Sequence, residues 1–167
     1  AIKERRSIRH FKKEQVSDDE LNAVLEAGTW APTGMGTQDP FIVAVQNEQQ
    51  KTLLSKINAE IMGAQSDPYY GAPTQVYVFA PKDNKNNVKD GSLILGNMML
   101  AAHSIGLASC WINRVDKMVD HDEVKNLMKS WGLPNGLVGI GSLALGFPDG
   151  EPRKAKPRKD NYARVIK

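Results

Sequence analysis

VKDGSLILGNMMLAAHSIGLASCWIN, residues 88–113, holds both kinds of element that decide the fold. Residues 88–106 are apolar nearly all round, the pattern of a buried helix. Gly91, Ser92, Gly96 and Ala101 are small, so another helix can approach closely. After Gly106 the run LASCWIN reads as a strand. A buried helix running straight into a strand predicts layers of helix and sheet rather than a bundle or a barrel.

The rest of the chain agrees. SDDELNAVLEAGTW, 17–30, reads as a helix with Ser17 as N-cap, Glu20 at the capping-box position, and Leu21, Val24 and Leu25 on its apolar face. APTGMGTQDP, 31–40, is a Gly- and Pro-rich loop, and FIVAV, 41–45, a buried strand. A helix runs from an Asn47 cap to Gly63, and a loop over 65–73 leads into the strand TQVYVFA, 74–80. A short helix over 120–132 and a fourth strand over 137–147 follow, with Gly139 and Gly141 allowing close packing. From Pro148 onward the chain is basic and Pro-rich and is expected to have no fold of its own. The fold class is α+β, with no internal repeat and no low-complexity linker.

The 167 residues fit one domain with a sizeable core. A single cysteine, Cys110, excludes an intrachain disulfide and fits a reducing compartment, so a cytoplasmic location is expected. No apolar run is long enough to cross a bilayer, and no signal-peptide pattern is visible, although the chain opens on Ala1 rather than Met. The net charge of +3 is mild, but basic residues gather at both ends, in IKERRSIRHFKK and EPRKAKPRKDNYARVIK. A nucleic-acid-binding module is one reading of those ends. Against it stand the small charge, the lack of a recognised binding motif and the lack of aromatics among the arginines.

RRSIRHF, 5–11, is more specific than a solvated charged face. Arg5 and Arg9 are spaced to share one side if the segment is helical. Guanidinium forks with a serine hydroxyl between them suit a terminal phosphate. No Gly-rich Walker loop is present, so a nucleoside triphosphate fits poorly. The loop 31–40 has the small residues that let a flat ligand approach the backbone, with Thr33 and Gln38 as hydrogen-bonding groups. Cys110 and Trp111 lie on an expected strand, where core roles are the rule. His103 sits in an apolar helix, and His10 and His121 read as surface residues. No spacing of His, Cys, Asp or Glu resembles a metal site.

Taken in order, RRSIRHF, APTGMGTQ, INAEIMG, GAPTQVYVFA, DGSLILGNMMLAAHSIGLASCWINR and LALGFPDGEPRKAKPRK resemble the FMN-dependent nitroreductase family over nearly the whole chain. The resemblance implies one nitroreductase-like FMN-binding domain over 1–167, with a central, mainly antiparallel sheet flanked by helices. It also implies an intertwined homodimer with a large apolar interface, FMN between the subunits, and the tail 148–167 extending toward the partner.

By the same resemblance, Arg5 and Ser7 grip the FMN phosphate, Arg6 lies beside them, and Arg9 reaches the pyrimidine edge of the flavin and tunes it. Pro32, Thr33, Gly34 and Gln38 come from the partner subunit, and Asn58 contacts the ring edge. Ser109, Cys110 and Trp111 run along another edge, while Lys156 and Arg158 in the tail close on the phosphate. Many relatives carry Asn where this chain has Gly36, and Pro-Trp at Asp39-Pro40, so the loop's path and the substrate mouth are expected to differ.

No side-chain nucleophile or acid–base pair stands out, which fits a cofactor enzyme. The implied activity is an oxidoreductase with NADH or NADPH as donor. It passes hydride through flavin N5 and reduces a nitroaromatic or quinone in a ping-pong cycle. The alternative within the family is a flavin protein serving oxidation, dehalogenation or sensing.

Overall fold

In the computed structural model, which describes residues 1–167, Ser17 starts the first helix as its sequence predicts. The Glu20 N–H donates to Ser17 Oγ at 3.3 Å, and the Ser17 N–H donates back to Glu20 Oε2 at 2.8 Å. The Ser17 side chain, and then its backbone N–H, hold the Glu20 carboxyl below its ordinary range. The helix, α1, is Asp18–Thr29, with Leu21, Val24 and Gly28 buried.

The remaining elements follow in order as β1 (Phe41–Val45), α2 (Glu48–Met62), β2 (Thr74–Pro81), α3 (Asn87–Ser104), β3 (Ala108–Ile112), α4 (Val115–Met118), α5 (Asp122–Ser130) and β4 (Leu137–Gly146). The α2 ends match the reading, with the Asn47 side chain accepting the Gln50 N–H at 3.0 Å and Gly63 closing the helix at φ 70°.

The four strands form one antiparallel sheet in the order β1-β2-β4-β3. The two-residue period of β2 builds two cores. Tyr77 and Phe79 face one side, with Leu54, Ile57, Cys110, Ile112 and Met118. Val76 and Val78 face the other, with Val24, Leu95, Met98, Leu143 and Leu145. A bulge between Val78 and Phe79 leaves Ile140 without a partner on β2. At Gly139 a Cβ would run into the Val115 carbonyl, so this strand needs a glycine where α4 crosses it.

Three expectations need correction. The strand 41–45 is not buried: β1 is an edge strand, and only Val45 is fully enclosed. The helix at 88–106 is not covered on all sides, since α3 buries Asp90, Gly91, Ile94, Leu95, Met98 and Ala102 while Leu93 and Val88 stay exposed. The helix expected over 120–132 is the shorter α5, preceded by the separate turn of α4, because Asp120 and His121 break the run. From Pro148 on, the tail has no helix or strand, as its composition suggests.

Candidate functional site

The arginine segment is extended rather than helical. Ser7 bridges Ser109 in parallel, and the Ile8 N–H donates to the Ser109 carbonyl at 3.1 Å. The strip continues beside the end of β4, with the Lys12 N–H on the Phe147 carbonyl at 3.0 Å and the Asp149 N–H on the His10 carbonyl at 3.0 Å. Residues 5–9 therefore lie along β3, and the tail leaves from the same end of the molecule.

An extended chain sends alternate side chains to opposite sides. Arg5, Ser7 and Arg9 therefore fall together, whereas a helix would have grouped only Arg5 and Arg9 and turned Ser7 away. Burial holds the Cys110 thiol above its ordinary value, while Arg9, Ser7 and Arg5 act in the opposite direction. The buried thiol is therefore neutral, the packing role its strand position suggests. Arg6 takes the other side. Its Nη1 donates to the Lys3 and Arg5 carbonyls, both at 2.8 Å, and it lines a hollow of about 300 Å³ with Ile8, His103 and Pro148. The structure thus separates Arg6 from the three side chains beside Cys110.

Arg5 Nη1 is buried with no hydrogen-bond partner, and so, on the other side of the strip, is Arg6 Nε. Leaving a buried donor in that state costs about 1–3 kcal/mol, and more when the group is charged. Arg9 is largely exposed, and its guanidinium lies over the Tyr70 ring, 5.9 Å from the centroid. Tyr70, followed by Cys110, holds Arg9 further in its charged form, against a smaller effect of burial.

The loop 31–40 contains a single 3-10 turn, Gly34–Gly36. Thr33 organises it, with Oγ1 accepting the Gln38 N–H at 3.0 Å and its carbonyl accepting the Gly36 N–H at 3.0 Å. A Cβ on Gly34 would collide with the Asn86 side chain, so the loop backbone lies directly on the segment that opens α3. Met35 is 98% exposed at the tip. Two hollows flank the loop. One, of about 400 Å³, is lined by Leu25, Thr33, Gln38, Phe41, Ile42 and Ile94. The wider, about 860 Å³, opens between Gln38–Phe41, Pro81–Asp83 and Pro134–Leu137. Size does not identify the site here, because neither hollow touches Arg5, Ser7, Arg9 or Cys110. Loop and arginines therefore lie apart within one chain.

The other expected residues are dispersed. Asn58 was expected at a ring edge, but the structure encloses it at 0% exposure. Its Nδ2 donates to the Asn113 carbonyl at 3.0 Å, and its Oδ1 accepts from Arg114 Nε at 2.8 Å. Ser109 contributes its carbonyl to the Ile8 bond, and Trp111 packs toward the opposite core from Cys110, with Nε1 on Asn113 Oδ1 at 2.9 Å. Pro32 is exposed beside Thr33, and Lys156 and Arg158 are exposed on the tail. Sequence reasoning missed Tyr70, Arg114 and Asp90. A carboxylate inside an apolar helix was a visible signal for Asp90. Nothing in the sequence marked Tyr70.

The nitroreductase family model matches residues 2–68 and 61–147. A Bacteroides fragilis nitroreductase solved with bound FMN is 33% identical, with TM-score 0.90 over 99% of this chain and 96% of that one. A Desulfitobacterium hafniense nitroreductase with bound FMN is 26% identical, with TM-score 0.86 over 99% of this chain and 96% of that one. An Archaeoglobus fulgidus protein whose name couples NADH dehydrogenase with NAD(P)H nitroreductase is 29% identical over 152 residues, 88% of this chain and 83% of that protein. No helix is long and apolar enough to cross a membrane. Fold, ordered motifs and relatives agree: the chain belongs to the nitroreductase family.

Proposed function

We propose that this protein is a cytoplasmic, homodimeric FMN-dependent oxidoreductase using NADH or NADPH. The observation that carries this is the buried, unpartnered Arg5 Nη1 on the same side of the strip as Ser7 and Arg9. A phosphate oxygen satisfies that donor, the Ser7 hydroxyl adds a neutral one, and the arrangement fits the phosphate end of FMN. When bound, FMN supplies two-electron chemistry between NAD(P)H and an electron-poor acceptor, a nitroaromatic or quinone, in ping-pong order.

The chain's own residues do the rest. Arg5 and Ser7 hold the phosphate. Arg9, exposed on the strip, sits at the pyrimidine edge, where its fixed positive charge favours the reduced flavin's negative charge. Pro32, Thr33, Gly34 and Gln38 serve the partner's flavin, and Lys156 and Arg158 swing in with the tail. Arg6 braces the strip through its own backbone, and Asn58 props Arg114 from beneath. The separation of loop and arginines, read as two half-sites, supports completion by a second copy. So do the exposed apolar groups Trp30, Met35, Val88 and Leu93.

The test is the absorption spectrum of the purified protein before and after anaerobic NADH or NADPH, with the released cofactor identified by mass. A yellow protein that releases FMN and bleaches is expected, and the two bleaching rates give the donor preference. A colourless protein that takes up no added FMN overturns the reading.

A further inference from the structure

Tyr70 is not a residue the local backbone prefers. It holds φ 57°, the left-handed region, although it is not glycine. Gly71 follows at φ 67°, so the turn contains two left-handed residues in succession. Asp67 enforces the turn, its Oδ1 accepting the Tyr69 N–H at 2.9 Å and its Oδ2 the Gly71 N–H at 2.7 Å. The Tyr70 N–H closes it on the Asp67 carbonyl at 3.2 Å. Tyr69 is anchored fully inside, with its hydroxyl 2.9 Å from Ser142 Oγ. The turn therefore hangs from a fixed point, and the next side chain is directed outward.

That side chain is only partly covered, with Tyr70 39% exposed. Its main charged neighbour is Arg9, whose guanidinium lies 5.9 Å from the ring centroid. Strained backbone at a half-exposed aromatic, with a cation on its face, is better explained by what the ring does than by what it buries.

We infer that Tyr70 is a positioning residue for Arg9: its ring supports one face of the guanidinium and fixes the direction of that charge toward the flavin. This rests on the reading above that Arg9 faces the pyrimidine edge of FMN. A long arginine beside water samples many rotamers. A ring beneath the guanidinium removes most of them and dehydrates one face, so the charge acts at one place.

The experiment measures the two-electron midpoint potential of the FMN-bound protein for wild type, Arg9→Ala, Tyr70→Asn and the double variant. Asn suits a left-handed backbone, so Tyr70→Asn is expected to melt no lower than wild type, and Tyr70→Gly is the second variant of the same kind. Tyr70→Asn is expected to reduce the preference for reduced over oxidised flavin about threefold, a fall of about 15 mV. Arg9→Ala falls further, and the double variant matches Arg9→Ala. Tyr70→Phe keeps the ring but loses the hydroxyl that also holds Arg9, so its potential should lie nearer wild type than that of Tyr70→Asn.

If Arg9→Ala shifts the potential and Tyr70→Asn does not, Arg9 acts without this support and the inference is wrong. Additive shifts in the double variant overturn it as well, because Tyr70 then acts independently. An unchanged potential in Arg9→Ala removes the underlying reading of Arg9, and the role of Tyr70 with it.

Discussion

Asn84 Nδ2 donates to both carboxylate oxygens of Asp39, at 3.0 and 3.3 Å, and reaches Asp90 Oδ2 at 3.4 Å. Asp90 is 3% exposed, and its Oδ1 accepts the Gly34 N–H at 3.0 Å. Thr37 Oγ1 adds a bond to Asp39 Oδ1 at 3.1 Å. The loop 31–40 is thus pinned at two points to the start of α3. The pins matter because Met35 and Gln38, neither of them glycine, hold φ 58° and 50°, each costing about 1–2 kcal/mol. Asp39 holds the loop in the path it takes here.

Asp90→Ala removes the pin at Gly34. The expected loss of stability is about 1–3 kcal/mol, measured by urea unfolding, because a backbone N–H loses its acceptor. Limited proteolysis of the folded protein should open first within 33–39. FMN affinity should fall several-fold, since Thr33 and Gln38 lose their fixed positions. A variant that resists protease as wild type does would show that the loop is held by something else.

Arg5→Ala should weaken FMN binding about 10- to 100-fold, the loss of one charge-assisted bond worth about 1.5–3 kcal/mol. Ser7→Ala should cost less, because its hydroxyl is a neutral donor. Arg6→Ala should leave the FMN dissociation constant nearly unchanged, since Arg6 lies on the opposite side of the strip with its Nη1 on the Lys3 and Arg5 carbonyls. Fluorescence titration of the apoprotein with FMN ranks the three. An Arg6 effect as large as that of Arg5 would contradict the separation of the two sides of the strip.

The elements that were legible in the sequence are those fixed by local chemistry. Ser17 and Glu20 marked the start of α1, Asn47 and Gly63 bounded α2, and the alternation of TQVYVFA gave β2 its two faces. The pairing of Arg5 with Arg9 was legible too, because helical and extended spacing both place those two together; Ser7 joins them only because the strip is extended. What escaped was set by long-range contact. Whether Phe41–Val45 is covered depends on its place at the sheet edge, and sequence patterning does not give strand order. Asn58 looks like any polar residue on a helix until Asn113 and Arg114 close over it. The left-handed turn of Tyr70 depends on Asp67, three residues earlier, whose carboxylate could as well have pointed to water.

Burial pushes the Tyr69 hydroxyl up to about 12, and burial also raises Tyr77 well above its ordinary value. Both groups are neutral when protonated, so their burial favours the fold at every pH below the unfolded value of about 10. As pH rises from about 10 toward 12, the unfolded chain releases these protons first and stability is lost. The free energy of unfolding should fall across that window, and Tyr69→Phe should make the fall shallower. A variant with the wild-type slope would mean that other groups govern the alkaline limb.

The outer face of α3 decides whether the two half-sites belong to a dimer. Leu93 is 47% exposed there, Val88 is 61% exposed, and a Cβ on Gly96 would meet nothing within 4 Å. Leu93→Arg therefore adds a charge to a face that the single chain leaves open, and the monomer's circular dichroism should not change. In an isologous interface the same position recurs on both subunits, so two guanidiniums are brought into a dry contact. The dimer should dissociate in sedimentation equilibrium at low micromolar concentration. FMN should be lost over the same concentration range, because the partner's Thr33 and Gln38 leave with it. Retained FMN in a dissociated monomer would show that Arg5, Ser7 and Arg9 hold the cofactor unaided, and a variant still dimeric would place the interface on another face.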